Sequence, residues 1–166
     1  MATDGADADL TKLVGKNTEL APLDEQPNRT LVATVSGNAS VQGQNINVEP
    51  NLVISGNVDF HTGNIDFPGP VTVTGDIESG FRLKADGDVA IGGVVDGGTV
   101  IATGDVIVRG GFLAEAEGQH GHIEAGSNVR VELVEGGLIQ ARGDVVIAKE
   151  VMRATVEAGG SIVVEN

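Results

Sequence analysis

His120 and His122 form an H-x-H pair flanked by Glu117 and Glu124, a spacing that can offer two imidazoles and a carboxylate to one metal ion. Gly118 and Gly121 break the same stretch, so it reads more readily as an exposed corner loop. In that setting Glu117, Gln119, His120 and His122 are expected to meet a protein partner, and His120 and His122 are retained only as metal candidates. His61 lies in His-Thr-Gly-Asn, with no serine or cysteine in a nucleophile motif, and a turn or capping role is expected rather than catalysis. The dipeptides Gly75-Asp76, Gly87-Asp88, Gly104-Asp105 and Gly143-Asp144 carry oxygen donors suited to calcium. Calcium-binding β-rolls need a denser glycine–aspartate repeat, so each aspartate is expected to bond the backbone of its own turn. Arg109, Arg130, Arg142, Lys149 and Arg153 are expected to pair with carboxylates on neighbouring segments. A basic face for an acidic partner is the sharper alternative, and Lys149 and Arg153 are its candidates. No catalytic residue, metal or cofactor is assigned.

These residues hang on a repeated frame. Leu83-x-Ala85-x3-Val89-x-Ile91 recurs as Val100-x-Ala102-x3-Val106-x-Val108 and Ile123-x-Ala125-x3-Val129-x-Val131. Ile139-x-Ala141-x3-Val145-x-Ile147 and Val156-x-Ala158-x3-Ile162-x-Val164 complete five rungs, with alanine steps of 17, 23, 16 and 17 residues. Apolar-x-apolar is the period of a strand, and a fixed long period marks a solenoid whose repeats bury their apolar faces against one another. A second phase, spaced by six, runs Ile65, Val71, Ile77, Leu83, Val89, Val95, Ile101, Ile107, Leu113. Six residues suit one short strand and a corner, so 17 or 18 residues make a three-faced coil. The expected fold is therefore an all-β, single-stranded parallel β-helix with three short strands per coil. The 23-residue step holds about six extra residues near Glu115–Gly121. Insertions in a solenoid leave at corners without breaking the stack.

Residues 1–30 show little periodicity and read as an acidic flexible segment. The β-helix is expected over 31–166, most clearly over 51–166. Its weak first rung is Ala33-x-Val35-x3-Ala39-x-Val41, followed by Leu52-x-Ile54-x3-Val58-x-Phe60. The last rung shows no visible cap, which reads as a fragment of a longer protein. Bare helix ends invite end-to-end stacking, so a homo-oligomer, end-to-end or side-by-side, is among the expected assemblies.

A formal net charge of −14 opposes DNA, RNA and anionic membranes, because phosphate recognition needs a positive field. There is no cysteine for a disulfide or thiolate site. No apolar run is long enough to span a bilayer, and the acidic start lacks the features of a signal peptide. A cytoplasmic location is expected. Aromatic residues are 2% of the chain, which leaves no platforms for sugars, so glycoside cleavage is disfavoured despite the abundant carboxylates. Acyl transfer would need His120 or His122 as its histidine.

The run Gly56-Asn57-Val58-Asp59-Phe60-His61-Thr62-Gly63-Asn64-Ile65 is more specific than β-helix composition. With Val71-x-Val73-x-Gly75-Asp76-Ile77 and the later Gly-Asp-Val rungs, it resembles the bacterial flagellar assembly protein A family over about residues 51–166. A weaker similarity is to bactofilins, whose stacked β-helices polymerise. The first resemblance implies a right-handed β-helix in a cytoplasmic protein linked to polar flagella and motility, without catalytic activity. It implies a scaffold for protein partners in flagellar or chemotaxis organisation, recruited to the flagellated pole. A cytoskeletal polymer and a carbohydrate-active or acyl-transfer enzyme are the alternatives.

Overall fold

The structure is a computed structural model that describes residues 10–21, 30–35, 37–114 and 121–165. Two compact units divide the chain, Met1–Pro50 and Asn51–Asn166.

The strand pairs of the first unit are antiparallel, with a parallel bridge from Val14 to Ile46. Thr18–Leu20 pairs with Leu31–Ala33, and Asn38–Gln42 pairs with Asn45–Glu49 across a two-residue Gly43–Gln44 loop. Gly43 sits at φ 64°, the left-handed value that a tight hairpin favours in glycine. The weak rung expected at 33–41 is therefore not a coil. Val35 is 37% exposed and Val41 72% exposed, and Ala33 and Ala39 are also on the surface. A local hairpin closes at little entropic cost, whereas a parallel coil needs a neighbouring rung to cover it. The solenoid thus starts at Leu52 rather than near residue 31.

The second unit is a β-solenoid of about six turns. Its first face stacks Leu52–Ile54, Val71–Val73 and Val89–Ile91, then the beginnings of Val106–Ala114, Val129–Gly136 and Val145–Met152, and last Ile162–Val164. The second face begins as single bridges, Val58 to Ile77 and Ile77 to Val95. It continues through Phe112, Val134 and Val151 in the far halves of the long strands. The third face stacks Ile65–Phe67, Arg82–Ala85, Thr99–Ala102, His122–Ala125, Leu138–Ala141 and Thr155–Ala158. All neighbouring pairs in these stacks are parallel. The first two coils carry two short strands and a single bridge, and the next has three short strands, Val89–Ile91, Val95–Asp96 and Thr99–Ala102. In the later ones the first and second faces fuse into one strand of eight or nine residues, with an irregularity between Val108 and Gly111 or between Val131 and Leu133.

Sixteen of the twenty ladder positions precede the last rung, and all of them except Ala141 are buried. The last rung departs from the expected core: Val156 and Ala158 are half-buried, and Ile162 and Val164 are 49% and 48% exposed. These four have a neighbouring rung on one side only. The six-residue phase is core from Val71 to Val95 and then slips. Leu83 pairs with Val100, a 17-residue coil, so Ile101 faces outward opposite Lys84 and Ile107 is 41% exposed.

The glycine–aspartate corners tie coil to coil. Asp88 Oδ1 accepts the Asp105 amide (2.9 Å), Asp105 Oδ1 the Asn128 amide (2.9 Å), Asn128 Oδ1 the Asp144 amide (2.9 Å) and Asp144 Oδ1 the Ser161 amide (2.7 Å). Another corner repeats the device, with Asn57 Oδ1 on the Asp76 amide and Asp76 Oδ1 on the Val94 amide. Each side chain caps the next turn rather than its own, contrary to the expectation from the dipeptide. The dipeptides mark two corners, Asn57 and Asp76 preceding the second face and Asp88, Asp105 and Asp144 the first. The glycines are there for space: a Cβ added at Gly75, Gly104, Gly143 or Gly160 would meet the carboxylate or amide oxygen arriving from the preceding coil.

Candidate functional site

An aliphatic core leaves all polar chemistry outside. In the solenoid no polar or charged side chain is buried among the described residues, and no buried side-chain nitrogen or oxygen lacks a partner. Whatever this protein does is done by outward residues, set in columns whose rungs lie about 4.8 Å apart.

Of the loop candidates, Glu117, Gln119 and His120 lie outside the described residues, as does the body of the six-residue insertion. Its two stems are firmly set. Ala114 pairs with Gly136, the His122 amide donates to Gly98 O (3.1 Å), and the Leu138 amide donates to Gly121 O (3.1 Å). Phe112, fully buried, fills the coil beneath them, and a Cβ at Gly121 or Gly137 would meet its ring.

His122 is half-buried, and its Nε2 lies 3.1 Å from Gln140 Oε1. Gln140 in turn donates from Nε2 to Glu157 Oε2 (2.6 Å). This chain of contacts climbs three coils, and Gln140 and Glu157 line a shallow open groove with Glu124 and Arg142. It orients the imidazole along the stack, and no three His, Asp or Glu side chains converge on a metal-binding point among the described residues.

The basic candidates are held in ion pairs between coils. Lys149 Nζ is 2.5 Å from Glu132 Oε1, Arg153 pairs with Glu135, and Arg130 Nη2 is 3.5 Å from Glu165 Oε2. Lys149 and Arg153 therefore brace neighbouring coils while their side chains stay largely exposed. Arg109 and Arg142 have no ion pair among the described residues. Arg109 shares a shallow groove with Ile107 and Arg130.

His61 sits in a turn, as the sequence suggests. Asp59 Oδ1 accepts the amides of His61 (2.8 Å) and Thr62 (3.2 Å), Thr62 Oγ1 donates to Asn57 O (2.8 Å), and the Gly63 amide donates to Asp59 O (2.8 Å). The two backbone donors, first that of His61, hold the Asp59 carboxyl below its ordinary value of 3.8. At the tip Phe60 is 91% exposed. The repeat template counts Phe60 as an apolar core position, which the structure corrects. The signal was the Asp-x-His-Thr-Gly sequence itself: an aspartate two and three residues before bondable amides and a glycine at φ 72° makes a turn, and its second residue points outward.

Residues 50–166 match the family model for the Flagellar Assembly Protein A beta solenoid domain. The chain belongs to that family, and the suspected resemblance is confirmed over the same region. No curated protein sequence and no solved structure gives a match.

Proposed function

We propose, from membership of the flagellar assembly protein A family, that this chain is a non-enzymatic scaffold that organises protein partners in polar flagellum assembly or motility. The observation that supports the reading most is the bracing of its surface. Inter-coil ion pairs and the corner ladder fix outward side chains on a stiff frame. A frame of this kind suits recognition, because little conformational freedom is lost when a partner docks. Among the described residues no helix is long and apolar enough to cross a membrane. Action in the cytoplasm at the flagellated pole completes the reading.

The test replaces the natural chain in its cell with one whose stack is broken, Val106→Asp with Val131→Asp, and counts flagella and swimming speed. Loss of both, together with loss of partner capture by the altered chain, is expected. Normal flagellation would remove the scaffold reading, and turnover of a polysaccharide or acyl donor by the intact chain would replace it with an enzyme. Sedimentation across a wide concentration range separates the scaffold, which gives a discrete small species, from a bactofilin-like polymer, which grows with concentration.

A further inference from the structure

Four phenylalanines are present, and three are accounted for by packing: Phe112 and Phe67 are buried, and Phe81 is half-buried against the core. Phe60 alone is presented to solvent, 91% exposed on a turn held by the four hydrogen bonds described above. An aromatic side chain is costly to leave in water, and one on a braced turn loses little freedom when it enters a pocket. Interface anchors combine these two properties. The imidazole of His61, 94% exposed, stands beside it as a hydrogen-bonding rim group.

The charge around Phe60 says what kind of partner it fits. Asp59, Glu78 and Asp96 occupy the outward positions next to Val58, Ile77 and Val95, so three carboxylates stack on successive coils. Some columns elsewhere on the solenoid are neutralised, as in Asp66 with Lys84 (3.7 Å) and Glu132 with Lys149 (2.5 Å). Glu78 and Asp96 have no cation among the described residues. Like charges in adjacent rungs repel, and a cationic rim laid across them removes the repulsion. A lipid surface of anionic headgroups would be repelled by the same column. A second copy of a chain with net charge −14 meets the same obstacle.

We propose that Phe60 is the anchor with which this solenoid docks a protein partner, entering an apolar pocket rimmed by Lys or Arg that covers Asp59, Glu78 and Asp96. The proposal rests on the scaffold reading and names its surface. The test places p-benzoylphenylalanine at position 60 of the full chain in cells, maps the crosslinked residue in the trapped protein, and titrates that purified protein against variants. The crosslink is expected in an apolar pocket with basic residues at its edge. Phe60→Ala is expected to weaken binding roughly 30-fold or more and Phe60→Leu only a few-fold. Glu78→Lys with Asp96→Lys is expected to slow association about tenfold and flatten its dependence on salt. Crosslinks to lipid or to a second copy would overturn the proposal, as would an unchanged affinity for Phe60→Ala. If position 60 traps nothing while a probe at Val53 or Ile107 traps a protein, the anchor is wrong and the scaffold reading stands. If no position traps a protein and flagellation is normal without the chain, both fail.

Discussion

Removing the methylene-free space at Gly104 tests why glycine precedes aspartate at these corners. Gly104 does not adopt a left-handed φ, so alanine there meets no backbone penalty. What it meets is Asp88 Oδ1, the acceptor of the Asp105 amide, with Asp88 N and the Gly87 carbonyl carbon at 3.0 Å behind it. Gly104→Ala must therefore expel the carboxylate. It loses one charge-assisted bond, about 1–2 kcal/mol for a partly exposed cap of this kind. It adds overpacking of about 1 kcal/mol, and regains about 0.4–1 kcal/mol from the stiffer unfolded chain. The net expectation is a loss of about 2 kcal/mol. Asp88→Ala loses the same bond without the crowding and should cost about 1.5 kcal/mol.

The double variant decides the matter. With the carboxylate absent, the new methyl faces only backbone at 3.0 Å, which a shift of a few tenths of an ångström relieves. The pair together should cost about 2 kcal/mol, against about 3.5 for independent effects, a coupling of at least 1 kcal/mol. Urea titration followed by circular dichroism measures all four proteins, and an unchanged slope with denaturant shows that the unfolded reference is the same. Additivity within about 0.5 kcal/mol would refute the idea that the glycine exists to admit its neighbour's carboxylate.

Phe112→Ala empties the largest fully buried side chain and should cost about 3–5 kcal/mol in the same titration, with Phe112→Leu near 1.5. Lys149→Ala and Arg153→Ala each remove an exposed ion pair and should cost less than about 1 kcal/mol, so a larger loss would show that these cross-braces do more than surface pairs usually do. Asp59 contributes through its depressed ionisation: its stabilisation is present above 3.8, the ordinary value, and fades as pH falls below it through the lowered folded value. Asp59→Asn should flatten the pH dependence of thermal stability in that acid window, and an unaltered profile would show that the turn is not held by the charge.

The sequence announced the ladder because its aliphatic pairs alternate with polar residues and repeat at coil length. The six-residue phase was readable only while coils kept 18 residues. Between Val89 and Val106 the coil drops to 17, and Ile101 and Ile107, apolar in composition, turn outward. Composition cannot register such a slip, since an isoleucine looks the same on either side of a strand. The bonding of the corner aspartates was hidden for a different reason. Capping one's own turn and capping the next coil both favour Gly-Asp, and the partner amide lies 16 to 23 residues away. The ion pairs were legible as pairs between neighbouring segments, and their partners follow from coil length: Glu132 to Lys149 and Glu135 to Arg153 are each one coil apart in sequence. Phe60 was misplaced by trusting the template over the turn chemistry on either side of it.

Net charge describes this chain poorly, because its carboxylates do different things. Asp88, Asp105 and Asp144 each hold a backbone amide of the next coil, and Asp66, Glu132, Glu135 and Glu165 each face a cation. The ion-paired carboxylates are locally neutralised, whereas the corner aspartates keep their charge. At about 8 Å of screening length in physiological salt, a distant partner senses what is left unpaired nearby rather than the total. Asp59, Glu78 and Asp96 are unmatched by a stable cation, and neighbours in this column lie one rung of about 4.8 Å apart, beside an exposed phenyl ring. Acidity that in bulk favours solubility becomes, beside Phe60, a directed attraction for positive charge, held in register by the stack that positions it.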